Sequence, residues 1–279
     1  MSRLQIVTVS SAIVLLLLLF FGVRTSPTAQ KKVENTRVKA ARIATIDEVI
    51  NQSKVTLSQS ELNLIGSLES ELDVSSGNDS SKLGTFKKLS STWYQFKKFG
   101  ASGFYAEEVA QIDNTDSAWS IAGYSYALCF SNTEDNRVFN YCYEKAVAAF
   151  ENAASLAPDS TIHKENLAFC YTQNPDVSQV MEGVKIYKGI LEQDSTNLKV
   201  LLTLGKLSVD FTKDYVKAIN RLERAIELAP NNFEVNYYLA KTYQGLNNKE
   251  GAKKYFQRAS SLTNNSELKK DIKDILNKL

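Results

Sequence analysis

The residue types that most often carry metal or nucleophilic chemistry are few in this sequence and lie far apart. The 279 residues include a single histidine, His163, and three cysteines, Cys129, Cys142 and Cys170. A zinc site needs several Cys, His or carboxylate ligands at short spacing, and no such group surrounds these residues. A Ser-His-Asp or Cys-His arrangement would have to join His163 to a residue distant in the sequence. The local patterns therefore predict no metal site, no cofactor site and no catalytic residue.

Sequence motifs that mark common enzyme classes are also missing. The chain has no G-x-S-x-G, G-x-x-x-x-G-K-[ST], G-x-G-x-x-G or H-E-x-x-H sequence. The acidic side chains are scattered over positions expected on helix surfaces, whereas acid–base catalysis needs a clustered set. We therefore expect a protein that is not an enzyme and that has no small-molecule substrate.

The cysteines are odd in number, dispersed and without C-x-x-C spacing. A disulfide framework draws on a denser, even set, although one pair could form here. Unpaired cysteines usually behave as small buried apolar residues. We predict that role for Cys129, Cys142 and Cys170.

Composition and charge indicate a helical globular protein. The chain is 43% hydrophobic and 23% charged, with four prolines and twelve glycines. Its 33 Lys and Arg residues against 31 Asp and Glu residues give a net charge of +2. This balance lacks the basic face of an electrostatic nucleic-acid binder, so no nucleic-acid partner is expected.

The N-terminus has the length and composition of a membrane span. Residues 4–23 are nearly free of strong polar side chains, and twenty residues of helix span about 30 Å, the thickness of a bilayer core. The run ends in Phe21-Gly22-Val23-Arg24, which lacks the small residues of a signal-peptide cleavage site. Residues 1–23 are therefore predicted to be an uncleaved, single transmembrane helix, and a cleaved signal peptide is the alternative.

A polar, basic tether follows at residues 24–44, with no apolar periodicity. Because positive residues favour the cytoplasmic side of a membrane, this flank favours a cytoplasmic location for the rest of the chain. Large domains are also exported despite such charges, so a location on the opposite side stays open.

Beyond the tether the sequence predicts helices. Thr45 and Glu48 have the spacing of a capping box, and Ser58 and Glu61 repeat it, so a helix is expected after each. The stretch 74–82 has the composition of a loop. Residues 45–82 are therefore predicted to be a helical segment that ends in this loop.

From about residue 83, small residues recur where two helices must approach closely, and larger apolar residues recur between them. In the best-marked unit these are Trp119, Ala122, Gly123, Tyr126, Ala146, Phe150, Ala153 and Pro158, and in the last unit Leu239, Ala240, Tyr243, Ala252, Phe256 and Ala259. This pattern resembles the tetratricopeptide repeat (TPR), a helix-turn-helix of 34 residues. We expect Gly123 and Ala252 to be buried contacts between helices.

The resemblance implies an all-α fold, a right-handed TPR solenoid preceded by the transmembrane helix. The predicted units are a divergent one at 83–115, then 116–160, 161–197, 198–232 and 233–264, followed by a capping helix at 265–279. The unit at 116–160 carries an insertion around residues 132–141 whose role is left open. The layout of anchor, tether and repeats also resembles membrane-anchored TPR proteins of Bacteroidota. That implies a bacterial inner membrane, with the repeats in the cytoplasm or the periplasm.

In the TPR family the first helix of each pair lines a concave groove that binds protein or peptide partners. Carried over by position, the groove would include Ser120, Tyr124, Ala127, Glu165, Phe169, Thr172, Lys199, Leu202, Lys206, Tyr237, Lys241 and Gln244. The residues predicted to bind a partner are Tyr124, Phe169, Lys199, Lys206, Tyr237 and Lys241. Tyr237 and Lys241 are expected to point away from the repeat core. The alternative for each is an ordinary solvated or packed side chain.

Two functions follow from these observations. The first is a non-catalytic scaffold that holds a protein or peptide partner at a membrane. The second is an assembly or maturation factor for a bacterial envelope complex, with its repeats outside the cytoplasm. A chaperone-cofactor role is not favoured, because Leu202 and Glu165 interrupt the lysine pattern of the chaperone-binding TPR subclass.

Overall fold

The computed structural model describes residues 43–74 and 79–279. In these ranges thirteen α-helices follow one another without a strand, which confirms the all-α prediction. They are α1 (Ile46–Lys54), α2 (Gln59–Val74), α3 (Asp79–Gln95), α4 (Phe99–Asp113), α5 (Asp116–Ser131), α6 (Asn136–Leu156), α7 (Thr161–Thr172), α8 (Val177–Gln193), α9 (Leu198–Asp210), α10 (Tyr215–Leu228), α11 (Phe233–Gly245), α12 (Lys249–Leu262) and α13 (Ser266–Lys278).

The predicted transmembrane helix at residues 1–23 lies outside the described residues, as does the tether up to residue 42. Within the two described ranges, the structure has no helix with both the length and the apolar character needed to cross a bilayer. The membrane anchor therefore stays a prediction.

Local side-chain bonds explain where the helices begin. Thr45 and Glu48 form the predicted capping box, with the Glu48 carboxylate 2.8 Å from the Thr45 backbone N–H. Ser58 and Glu61 form the same reciprocal pair before α2. Each of the helices α5 to α13 begins after a side chain that accepts a bond from its first turn, and these capping residues are Thr115, Asp135, Ser160, Asp176, Asn197, Asp214, Asn232, Asn248 and Asn265. Such caps satisfy backbone donors that the helix itself leaves free.

From α2 onwards each helix packs mainly against its neighbours in sequence, as a solenoid requires, whereas α1 packs on α4. Gly123 and Ala252 are buried as expected. A Cβ atom added at Gly123 would lie 2.7 Å from the ring of Phe150, so only glycine admits α6 this close to α5. At the other end, Ile272 of α13 is buried among Ala252, Phe256 and other residues of α12, which covers the last repeat.

Two glycines of α8 provide a matched test of this packing. A Cβ atom at Gly183 would lie 2.7 Å from the backbone oxygen of Ala168, whereas one at Gly189 would meet nothing within 4 Å. We expect Gly183→Ala to lower the free energy of unfolding by about 1–3 kcal/mol through overpacking. Gly189→Ala should raise it by about 0.5–1 kcal/mol, because alanine is the better helix former. Urea unfolding of both variants checks this, and equal effects at the two sites would contradict the close approach of α7 and α8.

The N-terminal segment is fixed to the repeat at 116–160. The Ala44 backbone N–H donates to the Arg137 carbonyl at 3.1 Å, and the Arg137 guanidinium lies 2.7 Å from the Glu48 carboxylate. This contact holds the pKa of Glu48 below its usual value. Ala44 and Val49 are buried in one cluster with Val138. The predicted tether therefore ends before Ala44, which belongs to the packed body.

The insertion predicted around residues 132–141 is mostly helix. α5 ends at Ser131 and α6 begins at Asn136, so residues 136–141 form the first turns of a lengthened α6. The Asp135 carboxylate caps this helix by accepting from Arg137 N–H at 2.8 Å. The insertion thus contacts the N-terminal segment through Arg137 and Val138, while α1 itself packs mainly on α4. A second predicted loop is also shorter than expected. The stretch 74–82 was predicted to be a loop from its composition, but α3 already begins at Asp79.

The prediction for two of the cysteines is wrong. Cys129 of α5 and Cys142 of α6 form a disulfide, with their Cα atoms 5.9 Å apart. The lengthened α6 is what brings Cys142 opposite the end of α5. Cys170 is free and buried as predicted, and its burial raises the pKa of the thiol to about 12.

Candidate functional site

The first helices of three consecutive repeats, α5, α7 and α9, border a cavity of about 480 Å³, here called the central pocket. Four of the six predicted groove residues line it, namely Tyr124, Phe169, Lys199 and Lys206. Ala127 and Thr172, which the family pattern also placed in the groove, line it as well. The central pocket therefore brings together half of the twelve predicted groove positions.

Two aromatic rings of the central pocket are exposed but held in place. Tyr124 is 47% exposed, and its hydroxyl donates to Asn166 Oδ1 at 3.1 Å and accepts from Nδ2 at 2.9 Å. The Tyr124 ring also meets Phe150 edge-on at 5.4 Å. Phe169 is 39% exposed and stacks on Phe130 at 6.1 Å. Because these contacts already fix the two rings, the rings would lose little side-chain entropy when a segment binds against them.

The lysines of the groove are already paired within the protein. Lys199 lies 2.7 Å from the buried carboxylate of Glu165 in α7. Lys206 lies 2.9 Å from Glu234 in α11 and 5.3 Å from the centre of the Tyr238 ring. A carboxylate of a partner would have to compete with these anions. The central pocket is therefore suited to an apolar segment more than to an acidic one.

The remaining two predicted residues, Tyr237 and Lys241, lie on α11, beyond the central pocket. Tyr237 stacks on Phe233 and meets Phe256 edge-on, both at 5.8 Å between ring centres. Lys241 bonds to Asp210 at 2.5 Å. The expectation that Tyr237 points away from the repeat core is wrong, since the ring packs on the core residue Phe256.

Asp210 joins the central pocket to this aromatic group. It accepts a hydrogen bond from the Tyr238 hydroxyl at 2.8 Å as well as from Lys241. Burial alone would raise the pKa of Asp210, but the bonds from Lys241 and Tyr238 outweigh it and hold the pKa below its usual value. The pairs Asp210–Lys241 and Glu234–Lys206 join α9 to α11, and their two positive and two negative charges cancel.

A second cavity on the same face was not predicted from the sequence. It has a volume of about 590 Å³ and lies between α3, α4 and α5, and it is here called the N-terminal pocket. Its large apolar side chains are Tyr94, Ile121 and Tyr124, and Tyr124 also lines the central pocket. Ile121, an apolar residue one turn before Tyr124 on α5, is the residue from which the pocket could have been recognised, although it is not part of the repeat pattern. The divergent repeat at 83–115 gave no pattern from which its other wall could be placed.

His163 takes part in a chain of polar contacts with Ser120 and Asp116 that no local sequence motif predicted. Its Nδ1 lies 3.0 Å from Ser120 Oγ, and its Nε2 lies 2.9 Å from Asp116 Oδ2. This contact holds the pKa of Asp116 below its usual value. A serine nucleophile needs an accessible Oγ and donors for the developing oxyanion. Ser120 is 7% exposed and lies within α5, where the backbone N–H groups are already bonded to helix carbonyls, so neither requirement is met. The contacts of His163 with Ser120 and Asp116 instead link α7 to α5.

Metal binding has no support in the parts of the chain that the structure describes. Among those residues no group of three or more His, Cys, Asp or Glu side chains is arranged to hold an ion. The face that contains the two pockets offers a bound segment apolar and aromatic contacts. The ion pairs on this face are already formed within the protein.

Comparisons with known proteins establish the fold. Among solved structures, MamA from residue 41 to its end, of Desulfovibrio magneticus RS-1, is similar with a TM-score of 0.52 at 15% identity, covering 64% of this chain and 94% of that one. TTC0263, a thermophilic TPR protein of Thermus thermophilus, is similar with a TM-score of 0.50 at 13% identity, covering 70% and 98%. At such identities the likeness shows a TPR-type solenoid fold alone.

Sequence comparisons reach less far. A family model described as regulator of microtubule dynamics protein 1-3 matches residues 210–279, which is less than half of the chain. No curated protein matches the chain.

Proposed function

We propose that this TPR-type solenoid is a non-catalytic scaffold that binds a protein or peptide segment along the face formed by α5, α7 and α9. The observation that carries the proposal is the central pocket, in which the exposed rings of Tyr124 and Phe169 border a cavity of about 480 Å³. Exposed apolar surface that converges on a cavity is typical of a binding site in a soluble domain. The fold shared with a TPR protein supports the proposal, since that fold stacks its repeats around an extended concave surface.

The test compares two variants once a partner has been captured by crosslinking in intact cells. Phe169→Ala should weaken binding of that partner by at least about tenfold, because aromatic anchors in a groove carry much of the energy of binding. Leu228→Ala is the control, since Leu228 is similarly exposed, at 46%, but lies on the second helix α10 and lines neither pocket. Affinity is measured by biolayer interferometry. A larger loss for Leu228→Ala would move the binding site off the proposed face.

The proposal includes tethering to a membrane by residues 1–23, with the repeats outside the cytoplasm, which is the periplasm in a bacterium. The apolar run at the N-terminus supports the tether. The Cys129–Cys142 disulfide supports the location, because cytosolic reductants keep most thiols reduced whereas oxidising compartments preserve disulfides. The disulfide also favours the second candidate function, an assembly or maturation factor for an envelope complex, because that function places the repeats outside the cytoplasm.

Counting thiols tests the location. Cells are quenched in acid, and the denatured chain is treated with a maleimide reagent of known mass. We expect one modification, at Cys170, without a reductant and three modifications after reduction, because the disulfide protects Cys129 and Cys142. Mass spectrometry counts the adducts. Three adducts without a reductant would favour the cytoplasm instead.

A further inference from the structure

We propose that the N-terminal pocket is a second subsite for the bound segment, which receives an uncharged, apolar side chain. This inference rests on the proposed function, because it concerns the same segment on the same face. The pocket lies between α3, α4 and α5, and nothing in the repeat pattern of the sequence pointed to it as a subsite.

The walls of the N-terminal pocket are apolar and exposed. Ile121 is 59% exposed, Tyr94 is 49% exposed and Tyr124 is 47% exposed, and all three border the same cavity. Tyr94 meets Phe99 edge-on at 5.4 Å, which restrains its ring. Single exposed apolar residues are common, but several that converge on one cavity mark a surface that another molecule covers.

The floor of the pocket has already used its hydroxyl donors. Ser90 Oγ donates to the Ser102 carbonyl at 3.1 Å, and Ser102 Oγ donates to Ser125 Oγ at 3.4 Å. Ser125 Oγ in turn donates to the Ile121 carbonyl at 3.1 Å. These hydroxyls therefore cannot donate to a ligand carboxylate or phosphate without giving up a buried bond.

The charge at the edge of the pocket is balanced as well. Among the residues that line it, the basic one is Lys87, and its ammonium lies 3.0 Å from Asp113 Oδ2. A charged ligand group would lose its hydration without gaining a free counter-ion. Because walls, floor and charge all disfavour a charged group, the occupant is an apolar side chain such as that of Leu, Ile or Phe.

The two pockets share one wall, the ring of Tyr124. An extended peptide advances about 3.3 Å per residue and can place side chains on both sides of such a ring. The partner is therefore a protein segment with two apolar anchors, one in each pocket. A lipid chain and a second copy of this protein are the competing occupants of the N-terminal pocket.

The probe is a library of random twelve-residue peptides, selected on the full chain held in phosphatidylcholine nanodiscs after depletion on empty nanodiscs. We expect the selected peptides to be enriched in two separated apolar residues and depleted of Asp and Glu. A synthetic copy of a selected peptide should bind Ile121→Asp at least about tenfold more weakly than the unsubstituted chain. Fluorescence polarisation measures the affinity.

The control is Ile162→Asp, because Ile162 is exposed to nearly the same extent, at 61%, and lines neither pocket. It should bind the peptide as tightly as the unsubstituted chain does. Both variants should keep the circular dichroism of the unsubstituted chain, since both positions are exposed.

Several outcomes would overturn the subsite. The first is selection of acidic peptides. The second is an equal loss of peptide affinity in Ile121→Asp and Ile162→Asp. The third is unchanged binding by Ile121→Asp. If Ile121→Asp binds normally while Phe169→Ala binds weakly, the subsite is refuted and the proposed function stands. If neither Ile121→Asp nor Phe169→Ala loses affinity, the subsite and the proposed function are both refuted. A dimer that Ile121→Asp converts to a monomer in sedimentation would assign the pocket to a second copy. Binding to phosphatidylcholine vesicles that Ile121→Asp abolishes would assign it to lipid.

Discussion

Replacing Cys129 and Cys142 together by serine is expected to lower the free energy of unfolding by about 3 kcal/mol. The two cysteines are 13 residues apart, and the entropy of closing a loop of that length in the unfolded chain gives this magnitude. The bond also lies in the same buried cluster as Val49 of α1, so its loss should loosen the N-terminal helix. Urea unfolding of the oxidised chain and of the double variant measures the difference.

The control for this experiment is the reductant itself. Reducing the unsubstituted chain should lower its stability by about the same amount, and the double serine variant should not respond to the reductant. If the unsubstituted chain unfolds at the same urea concentration with and without reductant, the bond contributes nothing to stability and the expectation is wrong.

Phe150→Ala should be at least as costly, at about 3–5 kcal/mol. Phe150 is 1% exposed, and its ring fills the space that Gly123 leaves between α5 and α6. The substitution leaves a cavity there, because α5 and α6 are also joined by the disulfide and cannot close the gap freely. Urea unfolding again provides the measurement.

Phe211→Ala is the matched control, since it deletes the same atoms from a side chain that is 46% exposed. We expect it to cost less than about 1 kcal/mol. Similar losses at the two positions would contradict the packing of α6 against the glycine of α5.

The repeat fold could be predicted because its signals are local. Gly123 and Phe150, or Ala252 and Phe256, recur at fixed places within one helical pair, so periodicity and residue size identify each unit without knowledge of its neighbours. The groove positions Tyr124 and Phe169 followed from the same frame. Helix starts such as Thr45 were visible because a cap involves residues only three apart.

The contacts between units could not be predicted, because sequence spacing does not encode how one repeat rotates on the next. Glu48 and Arg137 are 89 residues apart, and Ser120 and His163 are 43 apart. Lys199 looked available to a partner because its counter-ion, Glu165, belongs to the preceding repeat. The disulfide was missed for a related reason, since it depends on residues 136–141 being helix.

The central claim is that a partner lies on the face formed by α5, α7 and α9, and site-specific photocrosslinking in intact cells tests it most directly. A photoreactive phenylalanine analogue is placed at Phe169, in the central pocket, or at Leu228, on the second helix α10. Illumination should join the partner to the chain at position 169 and not at position 228, and Ile121→Asp should reduce that adduct. An adduct at position 228 with none at position 169 would contradict the account.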